Sequence, residues 1–528
     1  MTPWGRRVAP ALAVLPVGFL ALLFAWPLGE VLVRGLSWSA LVDVVGDADV
    51  RRTAWFTLWQ AVVSAAATLA VGLPAALVLA RTRFPGRTIV RTLLTVPFAL
   101  PTVVVGAAFL AVLPESWSGT PQAVVVAHVL FNLAVVVRTV GALAERLDPR
   151  LEEAAAVLGA PRWRVLVEVT LPLLRPAIVA ATGIVLLFCA TSFGVALLLG
   201  GPRYPTLEVE VYRRTTQVLD LGGAATIATA QLAVLGVLLL WWTSGEERRS
   251  ARTRAMGAVV PPRPLRTGRR RLGTALALAV PLGLVLVPTV ALVRRSMGSG
   301  GTPATWLEVL RGDTAAARFV DVPAAVRTSL VYAGAATLIA VVVGGLAAAA
   351  IAYGGRARRV LDVALLLPLG TSAVTVGLGL LLAFDTPPLD LRSSPVLVPL
   401  AHALVAVPFV VRIVLPVLRA IDPRQREAAA MLGAPPWQVW RAIDAPVTAR
   451  ALAAGAGFAA AISLGEFGAT SFLSRRDSTT VPVAIGQLLG RPGSANATAA
   501  YVLALVLALA VAAIMVVVDR FRSNDGTW

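Results

Sequence analysis

Apolar runs long enough to cross about 30 Å of hydrocarbon, roughly 20 residues each, recur along the whole chain. They fall near residues 11–33, 55–80, 92–113, 122–143, 176–200 and 224–243, and again near 273–293, 328–353, 360–384, 395–418, 449–473 and 499–518. Over such a span in lipid only a helix satisfies its own backbone polar groups, so the pattern predicts an all-α integral membrane protein of about twelve transmembrane helices. One polar interruption is long and structure-poor. It covers 244–271, holds PPRP at 261–264 and nine Arg residues, and is too polar to pack a core. The expected organisation is a first membrane repeat over 1–243, a linker over 244–271 and a second repeat over 272–528. With six spans in each half, the second half enters the membrane in the same sense as the first. Two parallel six-helix repeats, related by a pseudo-two-fold along the membrane normal, are expected.

Two shorter polar interruptions are copies of one another. Residues 148–172 read DPRLEEAAAVLGAPRWRVLVEVTLP and residues 422–446 read DPRQREAAAMLGAPPWQVWRAIDAP. Glu153 and Glu427, Gly159 and Gly433, Trp163 and Trp437, and Pro172 and Pro446 are each 274 residues apart. The Ala-rich part of each copy is a strong helix former, Gly159 or Gly433 ends it, and Pro161 or Pro435 cannot continue it. A second short helix carrying Trp163 or Trp437 is then expected. The plain reading of such a segment is an interfacial helix, for which Trp and Arg are suited.

Charge gives the orientation. The net charge is +19, charged residues make up 14% of the chain and mean hydropathy is +0.80. A basic chain can signal a nucleic-acid partner, but here the Arg residues cluster in short loops between spans, which is how membrane orientation is encoded. No nucleic-acid partner is expected. Arg81, Arg83, Arg87 and Arg91, the first duplicated loop with Arg146, Arg150, Arg162, Arg164 and Arg175, and the 244–271 linker all fall on one side if there are twelve spans. That side, and both termini, are expected to be cytoplasmic. The first span follows Arg6 and Arg7 without a cleavage site and is read as retained. All 47 basic residues are Arg, so a phosphate loop of the form GxxxxGK[ST] is impossible. The single Cys189 excludes an internal disulfide, and two His with one Cys supply no evident metal or nucleophile cluster.

The duplicated segment resembles the EAA loop of binding-protein-dependent ABC importer permeases, whose pattern is EAA, three residues, G, nine residues, I-x-L-P. The first copy departs only at Val169, and the second reads I-D-A-P with Ala445 in place of Leu. AHVLFNL at 127–133, SFGVALLLGG at 192–201 and SLGEFGATSF at 463–472 resemble stretches of fused permeases of the ferric-iron and thiamine import systems. The resemblance implies the type I importer permease fold in a bacterial cell membrane. It also implies a cytoplasmic coupling role for Glu153, Ala154, Ala155, Gly159 and Pro172, and for Glu427, Ala428, Ala429, Gly433 and Pro446. The implied partners are two ATP-binding cassette subunits, an extracytoplasmic solute-binding protein and the lipid bilayer. ATP is then used by the partner subunits, and this chain binds no cofactor of its own. Cargo stays open between ferric iron and thiamine. An ion-coupled secondary transporter, which also uses duplicated six-span halves, remains the alternative.

Polar residues inside spans are candidates for the substrate path. His128 and His402 are 274 apart, as are Ser192 and Glu466, and these four are the candidates. The competing accounts are a hydrogen bond to a neighbouring helix for each His, and a salt bridge from Glu466 to Arg475 or Arg476. Arg138 and Arg412 are expected to snorkel to the interface. Glu208 and Glu210, after the Tyr204–Pro205 turn, are expected on a solvated loop face or on the surface that meets the binding protein.

Overall fold

The computed structural model describes residues 3–253, 261–264, 268–298, 302, 304–354, 358–385, 389–391, 394–475 and 477–523. Residues 254–260 and 265–267 of the linker, and Arg476, lie outside the described residues. Membrane helices occupy every position where an apolar run predicts one. In chain order they are α1 (Pro10–Gly35), α2 (Ala48–Arg81), the bent pair α3 (Arg87–Ala99) and α4 (Thr102–Val112), and α5 (Pro121–Ala144). After a short helix α6 (Pro149–Val157) come α7 (Arg162–Ala190), α8 (Gly194–Leu199), α9 (Leu207–Arg213) and α10 (Leu221–Thr253). The second repeat has α11 (Gly268–Ser296), α12 (Val322–Tyr353), the bent pair α13 (Arg358–Gly370) and α14 (Ala373–Ala383), and α15 (Leu397–Ala420). It ends with α16 (Pro423–Met431), α17 (Trp437–Gly465), α18 (Gly468–Leu473), α19 (Val481–Leu489) and α20 (Ser494–Ser523).

Four spans differ from the apolar pattern. The runs near 92–113 and 360–384 are not straight helices but bend by 110° and 101°. Pro101 pushes Leu100 into extended backbone (φ −73°, ψ 141°), and at the second break Thr371 is extended while Ser372 caps the new helix through Val374 N and Thr375 N. The runs near 176–200 and 449–473 stop early, at Ala190 and Gly465, and their tails form the separate helices α8 and α18. Hydropathy cannot register these breaks, because the residues on both sides are apolar.

Contacts between neighbouring helices decide how the bent pairs count. Ser64 of α2 meets His128 of α5 at 3.4 Å, a Cβ on Gly72 would lie 2.8 Å from Val136, and Gly141 lies opposite Ala76. The contacts advance along both helices together, so α2 and α5 run parallel and end at the same face. The start of α3 ties them there: Arg87 donates to Leu79 O of α2 at 2.7 Å and lies 3.2 Å from Glu145 just past α5, with which Arg91 also pairs. Two parallel helices joined in sequence need a return crossing between them. With 11 residues α4 is only about 16 Å long, so α3 and α4 share that crossing. The second repeat repeats the arrangement: Gly344 of α12 packs on Val410 of α15, and Tyr353 at the end of α12 lies 5.5 Å beneath the Arg426 guanidinium just past α15. Arg412 pairs with Asp362 of α13 at 3.7 Å rather than only reaching for the interface, whereas Arg138 is exposed. With each bent pair taken as one span, the described residues hold twelve candidate crossings.

The chain forms two compact units that interleave the repeats. One contains 45–210 and 230–295, and the other 1–44, 211–229 and 296–528. In the first, Leu278 and Val285 of α11 join the core around Leu79, Leu94, Val105 and Leu130. In the second, Trp26 of α1 meets the Phe384 ring edge-on at 5.2 Å, and Gly379 allows Pro27 within the space of a side chain. Each repeat's opening span is thus packed with the core of the other repeat. The linker also contributes one ordered contact, as Arg263–Pro264 pairs in parallel with Thr82–Arg83.

The crossing assignment is testable. Cys189 is fully buried, so single cysteines introduced as Arg83→Cys and Ser118→Cys are expected to react with an impermeant maleimide from opposite sides of a sealed vesicle. Labelling of both from one side would make α3–α4 a re-entrant loop.

Candidate functional site

Each duplicated loop begins with the same cap. Asp148 and Asp422 accept a hydrogen bond from Arg150 N and Arg424 N at 2.9 Å, and Pro149 and Pro423 occupy the first helical turn, where a missing N–H costs nothing. The Glu-Ala-Ala residues lie within α6 and α16. Both helices end in the same paired turn: Ala160 N reaches Ala155 O at 3.1 Å with Gly159 N on Ala156 O at 3.0 Å, and Ala434 N reaches Ala429 O with Gly433 N on Ala430 O at the same distances. Gly159 and Gly433 have φ of +84° and +80°, and an added Cβ would meet nothing within 4 Å. The glycines are required by backbone conformation, not by space.

The expected second short helix is not separate. Trp163 and Trp437 open α7 and α17, which run on through the membrane. The reason lies at Pro172 and Pro446, each inside a continuous helix that ordinary proline geometry would break. The backbone widens to π-helical turns over Val165–Thr170 and Trp440–Asp444, immediately before each proline segment, and absorbs the ring and the missing donor.

Neither α6 nor α16 has a buried residue. Glu153 and Glu427 are exposed, and the bends present Val157 and Leu158 at 87% and 88% exposure and Met431 and Leu432 at 87% and 89%. The two polar loops thus carry matching exposed apolar tips. The inner end of each loop is fixed instead. Glu152, adjacent to Glu153, pairs with Arg81 at 2.5 Å and accepts from Thr170 Oγ1. In the second loop Arg426 pairs with Asp444 at 2.7 Å and covers Tyr353. Sequence reading passed over Glu152, Thr170, Arg426 and Asp444 because the family pattern leaves those positions open. The signal available was their offset of 274, with Glu152 matched by the opposite charge of Arg426 and Thr170 replaced by Asp444.

The intramembrane candidates form two buried clusters. In the first, His128 Nε2 lies 2.8 Å from Ser192 Oγ, Asn132 donates to Cys189 Sγ at 3.4 Å, and Gln60 donates to Cys189 O at 2.7 Å. In the second, His402 lies 2.7 Å from both Ser463 Oγ and Thr470 Oγ1 and 3.5 Å from Glu466. The Glu466 carboxylate accepts from Ala469 N and Thr470 N at 2.9 Å each, capping α18. Among the described residues its partners are His402, Thr470 and this helix start, and Arg475 is not one of them; Arg476 lies outside the described residues. Ser192 and Glu466 therefore occupy equivalent positions at the two breaks α7–α8 and α17–α18. Glu208 and Glu210 are not on a loop surface: they are 1% and 4% exposed, and Gln231 donates to Glu208 at 2.6 Å. They are drawn inward because Thr57 Oγ1 accepts from Leu207 N at 2.9 Å, as Ser329 Oγ accepts from Val481 N at 2.8 Å in the second repeat. Among the described residues no group of three His, Cys, Asp or Glu is placed to hold a metal ion.

The sequence family described as "binding-protein-dependent transport system inner membrane component" matches residues 69–251 and again residues 340–524. The chain belongs to this family. It is a fused permease, carrying the family's unit twice, and a transport protein rather than an enzyme. The thiamine transport system permease protein ThiP of Brucella suis biovar 1 is 29% identical over 99% of this chain and 98% of its own length. ThiP of Escherichia coli K12 is 25% identical over 98% and 96%. The sulfate transport system permease protein CysT of Escherichia coli K12 is 32% identical, covering 92% of itself but 44% of this chain, the size of one permease repeat. Both duplicated loops, and both His clusters apart from Gln60, lie inside the matched permease segments. The opening spans α1 and α11 lie outside them.

The capping role of Glu466 predicts that Glu466→Ala destabilises the purified permease by about 1–3 kcal/mol, since two buried N–H groups and His402 lose their acceptor. Ser192→Ala is expected to cost less. Thermal unfolding in detergent, followed by tryptophan fluorescence, reads the difference. Equal melting temperatures for wild type and Glu466→Ala would remove that role.

Proposed function

We propose that this permease is the translocating part of an ATP-driven thiamine importer, worked by two separate ATP-binding subunits through the α6 and α16 loops. The observation that carries this reading is the pair of matched loops. Each projects a capped helix with no buried side chain and ends in a bend that exposes two large apolar residues, next to the arginine-rich ends of α2 and α5 or α12 and α15. Arg-rich loops favour the cytoplasmic side, so both termini and both loops are assigned there, where ATP is available. The chain has no nucleotide-phosphate loop of its own. A solute-binding protein delivers cargo at the opposite face, and closure of the ATP-binding subunits rocks the helices to alternate access around a midplane path.

Thiamine is preferred to ferric iron because relatives aligned over nearly the whole chain are named as thiamine permeases. Family membership removes the support for an ion-coupled carrier.

Two measurements test the reading. Glu153→Lys combined with Glu427→Lys is expected to abolish stimulation of the ATP-binding subunits in proteoliposomes while the permease still purifies as a monodisperse species. Wild-type stimulation in that double variant would overturn the docking assignment. For cargo, mass spectrometry of the ligand retained by the cognate binding protein is expected to find thiamine, and exclusive recovery of a ferric complex would overturn it.

A further inference from the structure

The two coupling loops are anchored by the same three positions, with the charge reversed at the central one, Glu152 in the first and Arg426 in the second. In the first, the last residue of α2 is Arg81, the helix residue before Glu153 is Glu152, and the π-helical turn ends in Thr170. In the second, the corresponding residues are Tyr353 at the end of α12, Arg426 before Glu427, and Asp444 at the end of the π-helical turn. In both, the residue on the loop helix reaches the other two. Glu152 binds Arg81 and Thr170, and Arg426 binds Asp444 while its guanidinium covers the Tyr353 ring. Arg426 also donates to Leu418 O at 3.4 Å. These are partly or wholly shielded contacts: Arg81 and Glu152 side chains are 30% and 27% exposed, Arg426 and Asp444 18% and 5%.

A short helix with no buried residue of its own has no packing to hold its register. What remains is the attachment at its base. We propose that Glu152 and Arg426 are positioning residues that latch each coupling helix both to the end of α2 or α12 and to the helix it leads into (α7 or α17), so that displacement of the loop moves both together. The opposite polarity means that a latch works only as a matched set: the carboxylate of one loop has no use for the partners of the other. This inference rests on the docking reading above and assigns how the force leaves the loop.

The experiment uses the intact permease with its ATP-binding subunits and loaded binding protein in proteoliposomes, reading stimulated ATP hydrolysis alongside co-purification of the ATP-binding subunits. Glu152→Arg, which faces Arg81 with a like charge, is expected to reduce stimulation about tenfold, and Glu152→Arg with Arg81→Glu to restore most of it. In the second loop, Arg426→Glu opposite Asp444 is expected to fail. Adding Tyr353→Arg and Asp444→Thr, which installs the first loop's set, is expected to restore stimulation. Restoration in either loop supports the latch, because a general loss of folding would not be reversed by a second charge change. Undiminished stimulation in Glu152→Arg and Arg426→Glu, or failure of both matched sets to restore it, would overturn the latch. Loss of co-purification in the Glu153→Lys, Glu427→Lys variant together with full stimulation in the latch variants would leave docking standing and the latch refuted, so the two readings fail separately.

Discussion

The parallel packing of α2 on α5, and of α12 on α15, is the constraint from which the rest of this permease follows. It needs close backbone approach, which Gly72 against Val136 and Gly344 against Val410 provide: a methyl group at either glycine would fall within 3 Å of the opposing side chain. Parallel neighbours that are also consecutive in the chain demand a crossing between them. That demand turns two sharply bent helix pairs into full spans. It also brings the ends of α2 and α5 to one face, so that the loop leaving α5 starts beside the end of α2. Without that adjacency Arg81 would not meet Glu152, nor Tyr353 meet Arg426.

The polar groups buried in the spans have a related structural logic. Lipid offers no hydrogen-bond partner, so each polar side chain must find one within the protein. His128 and His402 do this at the places where α7 and α17 break, and the break itself frees backbone groups that need partners. In the second repeat Glu466 supplies them with its carboxylate, while in the first Ser192 joins His128 with a hydroxyl. The repeats have kept the geometry of the break and changed the chemistry that stabilises it. The same is true at the loop bases, where a carboxylate on one helix is answered by a guanidinium on its counterpart. Duplicated halves within one chain are free to diverge in this way, since a compensating change need only occur within the same half.

Family membership and packing divide the chain differently. The segments matched to the family begin after α1 and after α11, and it is these two opening helices that pack with the core of the opposite repeat. A fused chain therefore carries two permease units, each completed by a helix borrowed across the sequence.

The apolar runs, the duplication and the capped, glycine-ended helix of each repeated loop were legible in the sequence, because each is written in local composition or in a repeat of fixed offset. Hydrophobic run length reports solvent, and each of the twelve runs holds a helix or a bent helix pair. The uniformity of lipid hides whatever happens inside a run. The bends at Leu100 and Thr371, the early ends of α7 and α17, and the burial of Glu208 and Glu210 depend on which apolar surfaces meet and on which hydroxyl lies beside a free N–H. The continuation of α7 through Pro172 depends on a π-helical turn that no residue pattern announced. Glu152 and Arg426 show the limit most plainly. As neighbours of the motif glutamates they look like ordinary surface charges, and only the fold, by placing Arg81 and Asp444 within reach, makes each the fixed end of its loop.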